Sequence, residues 1–272
     1  MGIISTAIAL GYLLAPVLGG VIYTRIGYYA TFGITFGVLA PDFLLRLVVI
    51  EKTVEAHPPP TAVPLEGPNG VLWKLLRTPL AYAIVCAVFL NTTSLTILDN
   101  TLAIFVQEVF HWDALGAGLA FFPPLAPGLL GGYFIGWAVD RYGTRWPAVV
   151  GFVICVPSWI LLRVVTHDTM GQKVLFAVLL FGVGTGSEIV TVSTMTECRS
   201  LCPTSLAMGF AVFNIPLAAS IIFSVVSSTL QQSGGWSLTT LIPGLFSAAG
   251  ILCAVWFRVR GSKASPEDGG DV

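Results

Sequence analysis

Between Ser200 and Phe257 the chain carries no ionic side chain. A water-soluble domain is rarely built that way, because a globular surface needs charged groups to face solvent. A membrane-crossing helix needs only about 20 predominantly apolar residues. The run is therefore long enough for two helices, and Gln231-Gln232-Ser233-Gly234-Gly235 supplies turn chemistry to divide it. Similar gaps recur upstream. Ile3 to Tyr23, Gly27 to Pro41, Leu80 to Leu98, Ala114 to Val139 and Trp146 to Leu162 are uncharged. The second of these resumes after Asp42 and runs to Ile50, and Val174 to Thr196 is interrupted only by Glu188. Hydrophobic residues make up 55% of the chain and charged ones 10%, which leaves too few polar groups to cover a globule in water. The pattern predicts an all-α polytopic membrane protein with eight transmembrane helices. Barrel strands would alternate polar and apolar residues over only about 10 positions.

Basic residues set the orientation. With both termini in the cytoplasm, the inner segments hold Arg46, Lys52, Lys74, Arg77, Arg141, Arg145, Arg199, Arg258, Arg260 and Lys263. Only Arg25, Arg163 and Lys173 fall outside. Pro58-Pro59-Pro60, Pro64 and Pro68 lie among scattered charges, so residues 51–79 read as a solvated cytoplasmic linker. Two helices precede it within residues 1–50, six follow within 80–258, and residues 259–272 form a polar tail. No basic n-region precedes the first apolar run, which is expected to stay in the membrane.

Two motifs carry further information. In the first span Gly11, Ala15 and Gly19 recur every fourth residue and form a smooth stripe, with Gly20 beside it. Small residues let helix backbones approach closely in lipid, and Pro16 removes a backbone donor and bends the helix. Between the fourth and fifth spans, Gly136-Trp-Ala-Val-Asp140-Arg141-Tyr-Gly143-Thr-Arg145 puts a charge pair at a helix end, followed by a turn glycine. Generic packing and a positive-inside loop are the plainer accounts. Taken together, the two segments resemble the antiporter motif of the fifth helix and the G-x-x-x-D-R-x-G-R loop of the major facilitator superfamily. Ala15 replaces a glycine of the first, and the second basic residue of the loop comes one place late, at Arg145.

The resemblance covers helices five to twelve of a twelve-helix transporter, a partial major facilitator fold in which residues 1–50 end the N-terminal bundle and residues 51–79 are the central loop. Asp42-Phe-Leu-Leu-Arg46 and Leu98-Asp99-Asn100-Thr101-Leu102 are similar to the vesicular-amine-transporter-like branch, fungal members in particular. It implies proton-coupled antiport of small organic solutes, cationic ones included, by alternating access in a plasma or vacuolar membrane.

Ionisable groups within spans are functional candidates by default. Asp99 lies inside the third span among Asn91, Thr92, Thr93, Ser94, Asn100 and Thr101, where it can exchange a proton or attract a cation. A carboxylate satisfied by those Asn and Thr side chains is the structural alternative. Glu188 follows Gly182, Gly184 and Gly186 in the sixth span and is the second candidate, near the acidic position of the family's tenth helix. Asp42 and Arg46, four apart, read as an ion pair. Glu197, Cys198, Arg199 and Cys202 are expected in a cytoplasmic loop, where Cys-x3-Cys without histidine makes a poor zinc site.

Enzyme chemistry finds little support. His57, His111 and His167 all fall between spans, and no GxxxxGK[ST] loop is present. Neither a metal nor a cofactor is implied. A net charge of -1 gives no basic footprint for nucleic acid. The expected partners are the lipid bilayer, a small-molecule substrate and protons. Because helices one to four lack counterparts here, the rival expectation is a non-transporting membrane fragment or an interaction protein.

Overall fold

The computed structural model describes residues 2–48, 78–201 and 206–257. Among them every regular element is an α-helix. α1 spans Gly2–Arg25, α2 Tyr28–Val48, α3 Pro79–Phe110, α4 Ala114–Leu119, α5 Phe122–Tyr142, α6 Arg145–Leu162, α7 Met170–Leu201 and α8 Leu206–Val255. Among the described residues five stretches are long and apolar enough to cross a membrane: Tyr28–Leu45, Pro79–Phe110, Arg145–Leu162, Met170–Arg199 and Gly234–Val255. A sixth arises if Ala114–Leu129 and Gly131–Tyr142, which meet at a bend, form one crossing. The expected tail, and all but the last two residues of the expected linker, lie outside the described residues.

Local chemistry fixes the helix ends. Thr78 caps α3 by accepting from the Ala81 N–H at 3.3 Å, with Pro79 at the first helical position, where a missing donor costs nothing. Asp113 caps α4 by accepting from Gly116 N–H at 2.9 Å. Within α8, Gly235 takes a φ of 64° and interrupts the helix inside the predicted turn. The chain folds back there, because Val212 and Phe213 before the break share a core with Ala254 and Phe257 after it. Phe223 and Phe246, one from each arm, stand 6.2 Å apart.

Two apolar cores stack along the bundle. The first, at the α3 C-terminal end, joins Leu98, Leu102, Phe105, Val106 and Phe110 of α3 to Cys155, Trp159 and Leu162 of α6 and to Phe176, Leu180 and Val183 of α7. Trp236, just past the Gly235 break, stacks on Phe105 at 3.7 Å and donates its indole N–H to the Leu162 carbonyl at 3.0 Å. The second core joins Ile84 and Val88 of α3 to Phe152 of α6, Val190 and Cys198 of α7 and both arms of α8. Between them lies a buried polar girdle of Asn91, Thr92, Thr93 and Ser94 on α3 and Ser187 on α7, while Ser158 on α6 and Ser193 and Thr194 on α7 are buried at the levels of the cores themselves.

Backbones approach most closely where glycine leaves room. A Cβ placed on Gly184 of α7 would collide with the Pro124 carbonyl of α5, and one on Gly118 of α4 would lie 2.6 Å from the Pro16 carbonyl of α1. The outer faces, by contrast, are apolar and uncovered. Leu47 is 69% exposed, Leu252 71% and Ile222 75%, the surface of a body solvated by hydrocarbon. Gly184→Val is expected to overpack the α5–α7 contact and destabilise the protein by about 1–3 kcal/mol. Gly132→Ala, at a glycine with open space beside it, should be neutral or slightly stabilising. Thermal unfolding in detergent checks both.

Candidate transport site

α3 and α7 each hold one acidic residue near their midpoints. At about 1.5 Å per residue, Asp99 stands about 7 Å from the centre of α3 and Glu188 about 4 Å from the centre of α7. Asp99 and Asn100 occupy the exposed face of α3, turned away from Leu98 and Leu102, which are fully buried. Helical spacing dictates this, since each step along the chain rotates the side chain by about 100°.

The polar neighbours of Asp99 do not serve it. Their hydroxyls donate to carbonyls one turn back along the same helix: Thr92 to Val88 at 2.7 Å, Ser94 to Leu90 at 2.7 Å, Thr96 to Thr92 at 3.0 Å and Thr101 to Ile97 at 2.7 Å. Among the described residues Asp99 has no hydrogen-bond or ion-pair partner. Glu188, half-buried, is in the same position. Its carboxylate lies beside Gly128 of α5, 3.4 Å from where a Cβ would stand, which is ordinary van der Waals contact.

Asn91 has a different place. It is 4% exposed, and its amide donates to Thr191 Oγ1 at 3.1 Å and, more weakly, to the Ser187 carbonyl at 3.4 Å. Ser187 in turn meets the Cys155 thiol at 3.7 Å. Asn91 therefore ties α3 to α7 within the girdle, one residue from Glu188 along α7. The structure brings Asn91 to the Glu188 segment, and it sets Asp99 and Asn100 on a separate, open face.

Close packing by the first-span motif falls on neighbouring residues of that motif. A Cβ on Gly20 would stand 2.5 Å from the Ala114 carbonyl, while Pro16 meets Gly118. Gly11 and Gly19 have open space beside them among the described residues, and Ala15 is exposed. Pro16 and Gly20 are themselves four apart, so they form a second stripe one residue round the helix from the expected one. The Asp42–Arg46 pair lies outside the described residues, because the Arg46 side chain is not among them.

At the α5–α6 turn Gly143 adopts a φ of 81°, which explains the glycine there. Gly136 has open space beside it, Asp140 is exposed, and Arg141 and Arg145 lean on aromatic rings. Thr144 is the residue that sequence reasoning missed. It donates its hydroxyl to Glu197 Oε2 at 2.5 Å, and Glu197 is 2% exposed. Glu197, Cys198 and Arg199 belong to the last turns of α7 rather than to the loop predicted there, because apolar packing against Cys198 extends the helix. Cys202 lies outside the described residues.

A helical body with an apolar exterior and carboxylates near mid-depth defines an integral, multi-pass membrane protein. Comparison with known sequences gives its family. The chain matches the profile of the Major Facilitator Superfamily over residues 1–215 and again over 84–271; it belongs to that superfamily, in its vesicular-amine-transporter-like part. It is 26% identical over 244 residues to the MFS-type transporter ppzB of Metarhizium rileyi, covering 70% of this chain and 50% of that protein. It is 25% identical over 253 residues to the human MFS-type transporter SLC18B1, covering 91% and 47%. With the bovine synaptic vesicular amine transporter it shares 26% identity over 164 residues, 58% of this chain and 30% of that one. The chain spans about half the length of the first two relatives.

Thr144→Val should remove one donor from a buried carboxylate and cost about 1–3 kcal/mol. Thr144→Ser, which keeps the hydroxyl, should cost much less. Unfolding midpoints of the two variants in detergent make the comparison.

Proposed function

We propose that this chain supplies the later part of a secondary active transporter that exchanges small organic solutes for protons by alternating access. The observation that carries the proposal is the pair of carboxylates near mid-depth, Asp99 and Glu188, with no partner among the described residues. A bare carboxylate in that setting is costly to keep and is a default candidate for binding ions, protons or cationic substrate. Asp99, with Asn100 beside it, would meet solute on the open face of α3. Glu188 would exchange its proton beside Gly128 of α5. Because a relative is named a synaptic vesicular amine transporter, amines are the first solutes to test.

In this reading the chain crosses the membrane eight times with both termini in the cytoplasm, two crossings before the linker and six after it. Protonation and solute occupancy shift the balance between inward- and outward-open states, and the bundles rock about the central site. The Gly136–Arg145 segment acts as a cytoplasmic gating loop, and the Thr144–Glu197 hydrogen bond latches it to α7.

A second reading follows from α2, whose large apolar side chains are uncovered: Tyr29 is 88% exposed and Val48 75%. With that face unpacked, the 272-residue chain on its own would be a non-transporting membrane fragment. Reconstitution into liposomes separates the two. The proposal expects uptake of a labelled amine driven by a pH gradient, and an Asp99→Asn rate lower by about tenfold or more with its pH dependence flattened. Correct insertion with no uptake favours the fragment, and an unchanged rate and pH profile in Asp99→Asn rejects the role of that residue.

A further inference from the structure

Away from the carboxylates and the girdle, the side chains that packing explains least surround the α5–α6 turn. Arg141 is exposed and Arg145 half-buried, and neither has a carboxylate partner among the described residues. Their guanidinium groups rest on rings instead. Arg141 lies 5.2 Å from the centroid of Trp137 and 5.9 Å from that of Tyr142, and Arg145 lies 5.9 Å from Trp146. Trp137 and Tyr142 meet edge to face at 6.3 Å. At these distances the attraction is cation–π, which uses no N–H donor and so leaves the guanidinium fork free for a phosphate.

The aromatic residues continue along α5. Trp137 is one turn from Arg141 and 48% exposed; Phe134 and Tyr133, a further turn away, are 68% and 81% exposed. Side chains three and four apart share a helix face, so an uncovered aromatic stripe runs about 10 Å from Phe134 to the guanidinium of Arg141. Indole and phenol rings settle at the boundary between hydrocarbon and head groups, with basic side chains just beyond them. The surface therefore has the profile of an amphiphile: two cations at one end and apolar rings beneath.

We propose that the α5–α6 turn is a binding site for an anionic phospholipid, whose phosphate-bearing head group sits on Arg141 and Arg145 while an acyl chain lies along Trp137, Phe134 and Tyr133. Charge complementarity selects this occupant, since neither cation is in an ion pair among the described residues and two arginines outweigh the one carboxylate of the turn, Asp140. The site rests on the reading that this turn faces the cytoplasm, the side where anionic lipid is concentrated.

The test uses the 272-residue protein in detergent with added phosphatidylserine, phosphatidylinositol or phosphatidylcholine, and native mass spectrometry to count retained lipid. The two anionic lipids should be retained about 30-fold over phosphatidylcholine, from about fivefold per arginine, and the preference should shrink as salt rises. The double variant Arg141→Gln/Arg145→Gln should lose the preference, whereas Arg141→Lys/Arg145→Lys should keep most of it, which separates lost charge from a lost fold. No preference in the unmodified protein, or a preference that survives in the glutamine variant, overturns the site; so does an acidic protein segment found on these arginines in place of lipid. The micelle measurement depends neither on transport nor on sidedness. A topology reagent that reaches this turn from outside would overturn the cytoplasmic assignment while leaving the head-group preference standing.

Discussion

A hydroxyl taken into hydrocarbon is costly unless it finds an acceptor within the protein, and the structure depends on how that is met. Thr92, Ser94, Thr96 and Thr101 on α3, and Thr191, Ser193 and Thr194 on α7, donate to carbonyls of their own helix. This i−4 bonding asks nothing of neighbouring helices. It allows a polar layer to persist between two apolar cores. Among the described residues only the Thr93 hydroxyl and the Trp159 indole are buried polar side-chain atoms without a partner. It also leaves Asp99 and Glu188 bare, because the side chains that could have satisfied them are occupied elsewhere.

With burial from water contributing little between helices in lipid, contact area has to come from close approach. The α5–α7 and α1–α4 contacts are both made where a glycine faces a carbonyl next to or within a proline: Gly184 on Pro124, Gly118 on Pro16. In both cases the carbonyl is the proline's own, and glycine, lacking a Cβ, is the residue that can be laid against it. The α5–α7 contact at Gly184 stands one turn of α7 from the acid at Glu188.

Much of this was legible in the sequence, because absence of charge is a strong signal. The gaps between ionic residues located the helices, and the run after Ser200 was rightly expected to break at the Gln231–Gly235 turn. Periodicity said less about which face packs. The stripe of Gly11, Ala15 and Gly19 was visible, but the contact is made by Pro16 and Gly20, one residue round, and only the partner helix decides that. Asn91 looked like a site residue because it is polar and near Asp99; its side chain is consumed by Thr191, a hundred residues away in the chain. Glu197 was hidden by the basic and cysteine residues around it, which suggested a loop. The displaced second basic residue of the Gly136–Arg145 segment was the available clue, since the position it vacates is Thr144, the one that reaches Glu197.

The Asn91 amide has a consequence for the bundle's mechanics. Since Thr92, Ser94 and Thr191 give their hydroxyl protons to their own backbones, the Asn91 carboxamide is the main rivet between α3 and α7 in the polar layer among the described residues. Above and below that level, aromatic and branched side chains interlock. The two helices are thus fastened firmly at both ends and by a single polar stitch in the middle, so shear between them concentrates at the depth where the acids lie.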